Sequence, residues 1–298
     1  MEVLVVGNTA YVDDDFCAKA FPGDHVKVVA AQEARRDESS PHASWKELLQ
    51  HLEQAYEFDR VVYLSNYLTP HTDTVGDIEL LRSVFRTCAC RRVQLLYVAG
   101  PAGAEGAADA AGRTGKGIIA HAANDLCRYY AAREGVQTKI LRVPFLYTAS
   151  AALEDPFLVP MFDACSTGSA ALQGAQDAAF PLLCAEELSV LVRRIFDSWD
   201  GNFETLDVAD TFHHTVGEVG EALQSLFPGV SVAYGDSAGY ALPASDVARV
   251  RYGWFQRYDL LRDLSTIQAR WDAGRAKKVN PLRAAIDRIR MRTLPIKC

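Results

Sequence analysis

An alternation of two patterns constrains this chain more than any single motif. Short, almost wholly apolar runs recur through its first half, and each is followed by a stretch with helical spacing. Val3 to Val6, Val26 to Ala30, Arg60 to Leu64, Val93 to Val98 and Thr138 to Arg142 read as strands. Asp14 to Phe21, Trp45 to Tyr56, Val75 to Arg86 and Ile118 to Glu134 read as helices. Strands this apolar are buried on both faces, which calls for a parallel sheet with crossover helices on each side. The pattern predicts an α/β fold, a Rossmann-type doubly wound parallel sheet over residues 1–150.

Gln32 to Pro41 is polar and loop-like, and Gly100 to Gly117 has the Gly/Ala composition of a flexible loop. Beyond residue 150 the alternation loosens. Ser166 to Gly174 reads as a loop of small residues, and Ala185 to Trp199 and Val216 to Leu226 as helices. Thr215 is placed to cap the second of these, with Glu218 three residues on. A smaller substrate-type α/β region is expected over 151–267, followed by a basic tail or linker over 268–298. Within that tail, Asn280 and Pro281 are suited to begin a short helix.

A chain of 298 residues, 49% hydrophobic, buries enough core to dispense with disulfides and metals. It has no apolar run long enough to span a bilayer and enters its first strand at once, with no basic segment ahead of it. The seven cysteines are scattered and odd in number, which suits reduced thiols and a cytoplasmic location. No metal-ligand spacing is present among the histidines, and the adjacent His213 and His214 read as incidental. The tail carries nine Lys/Arg against two Asp, so of the net charge of −7 the rest of the chain holds −14. An acidic body argues against nucleic-acid binding, whereas the basic tail suits a solvated linker, an anionic membrane surface or an acidic partner.

The first strand runs into Gly7 and then into Asp13, Asp14 and Asp15, where a helix begins. A helix N-terminus is worth roughly half a positive charge, and three carboxylates in its first turn more than offset that toward an incoming diphosphate. The same aspartates are good helix starters, and the two readings are compatible.

Seven stretches in order resemble the extended short-chain dehydrogenase/reductase family, the NAD-dependent epimerase/dehydratase group. They are Val3–Phe16, Phe58–Asn66, Asp73–Phe85, Arg92–Gly100, Ala120–Thr148, Pro181–Leu188 and Ser245–Trp254. The resemblance implies NAD or NADP as cofactor, held by Gly7, Thr9, Ala10, Tyr11 and Val12 in the turn. Leu64, Ser65, His121 and Pro144 complete the implied contacts. The family's three turn glycines fall on Gly7, Ala10 and Asp13, so only the first is kept. Where an acid would hold the adenosine ribose, Ala30 and Ala31 stand.

The family's hydride chemistry uses a tyrosine, a lysine four residues later and a serine. Those positions hold Gly117, His121 and, at the end of the fourth strand, Ala99 and Gly100. All three roles are vacant, and His121 has no phenol to activate. The leading expectation is a catalytically degenerate relative that senses a ligand such as a nucleotide or nucleotide-sugar. An active enzyme with atypical groups is the alternative. A third reading is an interaction domain without a ligand. As in the family, a homodimer through the helices at 75–86 and 118–134 is expected.

Overall fold

The computed structural model describes residues 1–30, 57–65, 75–89, 93–100, 115–149, 155–172, 174–208, 211–236 and 245–275. Its spine is a parallel six-stranded sheet of β1 (Glu2–Gly7), β2 (His25–Ala30), β3 (Arg60–Leu64), β4 (Gln94–Ala99), β5 (Gln137–Arg142) and β9 (Phe203–Asp207). The spatial order is β2-β1-β3-β4-β5-β9. Residue alternation divides the strands between two cores, as a period of two requires. Val3 and Val5 of β1, Val62 and Leu64 of β3, and Leu96 and Val98 of β4 enter one core. Leu4, Val6, Val61, Tyr63, Leu95 and Tyr97 enter the other.

The second core is closed by α2 (Val75–Ala89) and α3 (Gly115–Arg133), whose Phe85 and Tyr130 rings stack at 4.6 Å. The first is closed by α1 (Asp14–Ala20), α5 (Ala185–Asp197) and α7 (Val247–Tyr252). Leu188, Leu191, Val192, Ile195 and Phe196 form the buried stripe of α5 and meet Phe16, Ala20 and Phe21 at α1. A third core gathers β6 (Phe145–Tyr147), β8 (Leu182–Cys184), α4 (Leu158–Ser166), α6 (Val216–Leu226) and a helix, α8, over 260–275. Thus β9 and α5, which follow residue 150 in sequence, are built into the main sheet and its covering layer.

Charged ties hold β9 to the sheet. Arg142 and Asp207 are register partners joined by two hydrogen bonds of 2.6 and 2.9 Å. Lys139, 1% exposed, reaches Asp200 at 3.0 Å and Glu204 at 2.5 Å, beside the Trp199 ring. Arg251 of α7 pairs with the same two carboxylates. The α6 N-terminus carries the expected reciprocal cap: the Glu218 N–H donates to Thr215 Oγ1, and Thr215 N–H to the Glu218 carboxylate.

Three expectations are revised. Ser169–Leu172, read as part of a small-residue loop, is a strand, β7, paired in parallel with β10 (Ser231–Tyr234). The third helix starts at Gly115, inside the stretch read as loop. His214 is 9% exposed and its Nε2 meets Asp259 Oδ1 at 2.8 Å, so it is a structural clasp and no incidental surface residue. The helix read at Trp45–Tyr56, the acid position at Ala31 and the tail beyond 275 lie outside the described residues. No group of metal-ligating side chains is found among the described residues, and no described helix is long and apolar enough to cross a membrane.

Candidate functional site

The strand order places β1 between β2 and β3, so the chain steps from β1 to one side and then returns past it to the other. In open α/β sheets the crevice at that parting, outside the strands' carboxyl ends, is where ligands sit. The floor here is a row of hydrogen bonds across four strand ends. Asn8 N–H donates to the Leu64 carbonyl at 2.8 Å, Ser65 N–H to Val98 at 2.9 Å, and Val143 N–H to Ala99 at 2.9 Å. Gly7, Leu64, Ser65, Ala99 and, one residue past Val143, Pro144 are thereby brought to one edge.

Gly7 has φ of +108°, and a Cβ there would lie 2.2 Å from the Leu64 carbonyl oxygen. Both facts demand glycine for the packing of β1 on β3, before any ligand is considered. Beyond it the turn closes on itself. Ala10 N–H leans on the Asn8 side-chain oxygen at 3.4 Å, and Val12 N–H donates to the Thr9 carbonyl at 2.9 Å. Asp13 then caps α1, its Oδ1 accepting from Phe16 N–H at 2.7 Å. Asp13, Asp14 and Asp15 are all exposed, and among the described residues only Asp15 has a cation, Lys19 at 2.5 Å. The helix they start is seven residues long.

Tyr11 turns inward. It is 4% exposed, lies in the first core, and its hydroxyl has no hydrogen-bond partner among the described residues. Burial, and then the nearby Asp155 carboxylate, push the phenol far above its usual range. Asp155 is itself 1% exposed and receives the amides of Thr148 (2.6 Å), Phe157 (2.8 Å) and Leu158 (2.6 Å). Burial raises its pKa to about 6, and the three amide donors pull the other way. Sequence reasoning left Asp155 out of the site; an acidic residue just before the apolar run Phe157–Val159 is a capping signal, and that signal could have found it.

The Ser65 side chain is fully buried, with no partner for its hydroxyl among the described residues. His121 is half-buried, two residues before Ala123, whose methyl enters the second core. Gly117 lies in the first turn of α3, where it offers no side chain for acid–base work. The edge therefore assembles Gly7, the turn 9–12, Leu64, Ser65, Ala99 and Pro144, with Tyr11 and Asp155 as its buried ionisable pair.

No protein-family model matches the chain, and no curated protein sequence matches it. Solved structures do. A dTDP-glucose 4,6-dehydratase from Streptomyces venezuelae, solved with NAD bound, superposes with a TM-score of 0.68 at 12% identity, covering 91% of this chain and 96% of that one. A UDP-glucose 4-epimerase from Thermotoga maritima, solved with UDP-glucose, gives 0.69 at 12% identity, with coverages of 93% and 100%. A UDP-glucuronic acid 4-epimerase from Bacillus cereus, in complex with UDP-glucuronic acid and NAD, gives 0.66 at 11% identity, with coverages of 92% and 99%. The likeness spans nearly the whole of both chains and establishes the Rossmann-type fold of these NAD-dependent epimerases and dehydratases.

Proposed function

We propose that this chain is a non-catalytic counterpart of the nucleotide-sugar epimerases and dehydratases, a ligand-sensing module that uses the crevice without the hydride step. The observation that carries the reading is the turn after β1. Its Ala10, Val12 and Phe16 amides donate within the chain, and three exposed carboxylates stand at the start of α1. A dinucleotide pyrophosphate needs amide donors and a positive helix end at that place, and each uncompensated like-charge contact at short range costs on the order of a kcal/mol. The residues present do not fit that group. The positions to which the resemblance assigns proton transfer hold Ala99, Gly117 and His121, which agrees with a site that binds and does not transform. The ligand class proposed is a nucleotide or nucleotide-sugar.

The opposing reading, an active NAD(P)-dependent enzyme with atypical groups, has one observation in its favour. Tyr11 and Asp155 form a buried phenol–carboxyl neighbourhood beside the turn, and the Asp155 pKa of about 6 suits acid–base work. Calorimetric titration with NAD⁺, NADH, NADP⁺, NADPH and UDP-glucose separates the two. The expected result is binding of UDP-glucose and none of any dinucleotide up to about 1 mM. Binding of a dinucleotide near about 1 μM would overturn the reading in favour of the enzyme. Silence from every probe would overturn it in favour of an interaction domain. For that third reading, α2 exposes Glu79, Arg82 and Arg86, and α3 exposes Asp125, Arg128 and Tyr129.

A further inference from the structure

A second cleft, of about 350 Å³, opens where α1, the start of α5 and α8 meet. None of Gly7 to Val12, Leu64, Ser65, Ala99 or Pro144 lines it, and of the residues that bear on the switch-point crevice it shares Asp15 alone. Its size falls within the range of small-molecule sites, roughly 300–1,000 Å³.

The lining charges balance. Lys19 and Asp15 pair across one turn of α1 at 2.5 Å, and Arg262 meets Asp263 at 3.1 Å. Two further charges, Arg270 and Glu186, hold opposite ends of one residue. Arg270 Nη1 donates to the Ala149 carbonyl at 2.5 Å, and Ala149 N–H donates to the Glu186 carboxylate at 3.2 Å. Among the described residues Arg270 makes no ion pair, and a neutral carbonyl leaves its charge uncompensated. Through Ala149 the guanidinium and the carboxylate stand no more than about 9 Å apart. An α-amino acid with one hydrogen bond at each charged end spans up to about 9 Å, so its two ends can reach both groups. A polyanion would meet Asp15, Glu186 and Asp263, and a polycation would meet Lys19, Arg262 and Arg270. A zwitterion satisfies both walls. The ring of Tyr258, 43% exposed, supplies an apolar surface for its side chain.

We propose that this cleft binds a free amino acid or short peptide as a zwitterion, with its carboxylate on Arg270 and its ammonium on Glu186. Such a ligand would bridge α5 and α8 and so tie the helix that covers the first core to the third core. Calorimetric titration of the full chain would use glycine, leucine, phenylalanine, glutamate, arginine and glycyl-leucine as probes. The expected result is binding of at least one probe in the range of about 10 μM to 1 mM. Its amide and its N-acetyl derivative should each lose at least about tenfold, because each removes one charge. Arg270→Gln should cost a comparable factor with the thermal transition kept, and Arg262→Gln, at the exposed rim, should cost little. No binding of any probe at about 10 mM would overturn the proposal, as would derivatives or an Arg270→Gln protein that bind as well as the originals. UDP-glucose should not compete with the bound zwitterion; competition would place both in one site and overturn the claim of a separate cleft.

Discussion

At the scale of single residues, the turn after β1 separates what glycine does for the backbone from what it does for a ligand. Gly7 is required by its positive φ and by the Leu64 carbonyl 2.2 Å from where a Cβ would sit. Gly7→Ala should therefore cost at least about 3 kcal/mol, read as a drop in the urea midpoint with an unchanged slope. A loss below about 1 kcal/mol would mean that β1 and β3 part easily and that the close approach is not structural. Gly7 and the capping aspartate were legible in the sequence because each is a local statement about residue type at a fixed spacing. Tyr11 beside Asp155, and His214 beside Asp259, were not legible. Each joins residues far apart in the chain, and nothing in their periodicity marks them.

At the scale of elements, the apolar strands of the first half announced themselves, β2 included although its Val28 is exposed, and the polar β9 did not. β1, β3 and β4 are runs of Val, Leu and Tyr in which almost every side chain enters a core. β9, Phe-Glu-Thr-Leu-Asp, buries only Leu206 and keeps its place through Arg142–Asp207 and the Lys139 cluster. The α6 cap was readable because Thr215 and Glu218 stand three residues apart. The turn ahead of α4 carries a pH signature. Asp155 has a folded pKa of about 6 against an ordinary 3.8, so the folded state holds the proton more tightly. Its contribution to stability is fully present below 3.8 and is lost as pH rises through 6. The stability difference between wild type and Asp155→Asn should thus grow in favour of wild type by about 1 kcal/mol from about pH 7 to about pH 5. A difference that stays flat or shrinks on acidification would show that the three amides outweigh burial.

At the scale of the whole molecule, the chain's two halves share their cores. The buried stripe of α5 covers α1, and Glu187 at its start receives the amides of Arg257 at 2.6 Å and Tyr258 at 3.2 Å. A fragment of residues 1–150 lacks both α5 and β9. It should be aggregated or bind hydrophobic dyes, while the full chain melts in one calorimetric transition. A soluble fragment with native circular dichroism, or two separated transitions, would make residues 1–150 an autonomous unit.

The pairing of β5 with β9 also has a consequence during synthesis. The Arg142–Asp207 tie closes over 65 residues of chain. At roughly 5–20 residues per second, a ribosome needs about 3–13 s to cover that distance. For that interval β5 is an open parallel edge on the nascent chain, the kind of template on which foreign strands add. A polar β9 is slow to recruit by hydrophobic collapse, so its charged ties fix the moment at which the edge is sealed. Conditions that weaken those ties, such as high salt in a cell-free translation, would lengthen the vulnerable interval and raise aggregation of newly made chains before the finished protein loses any measurable stability.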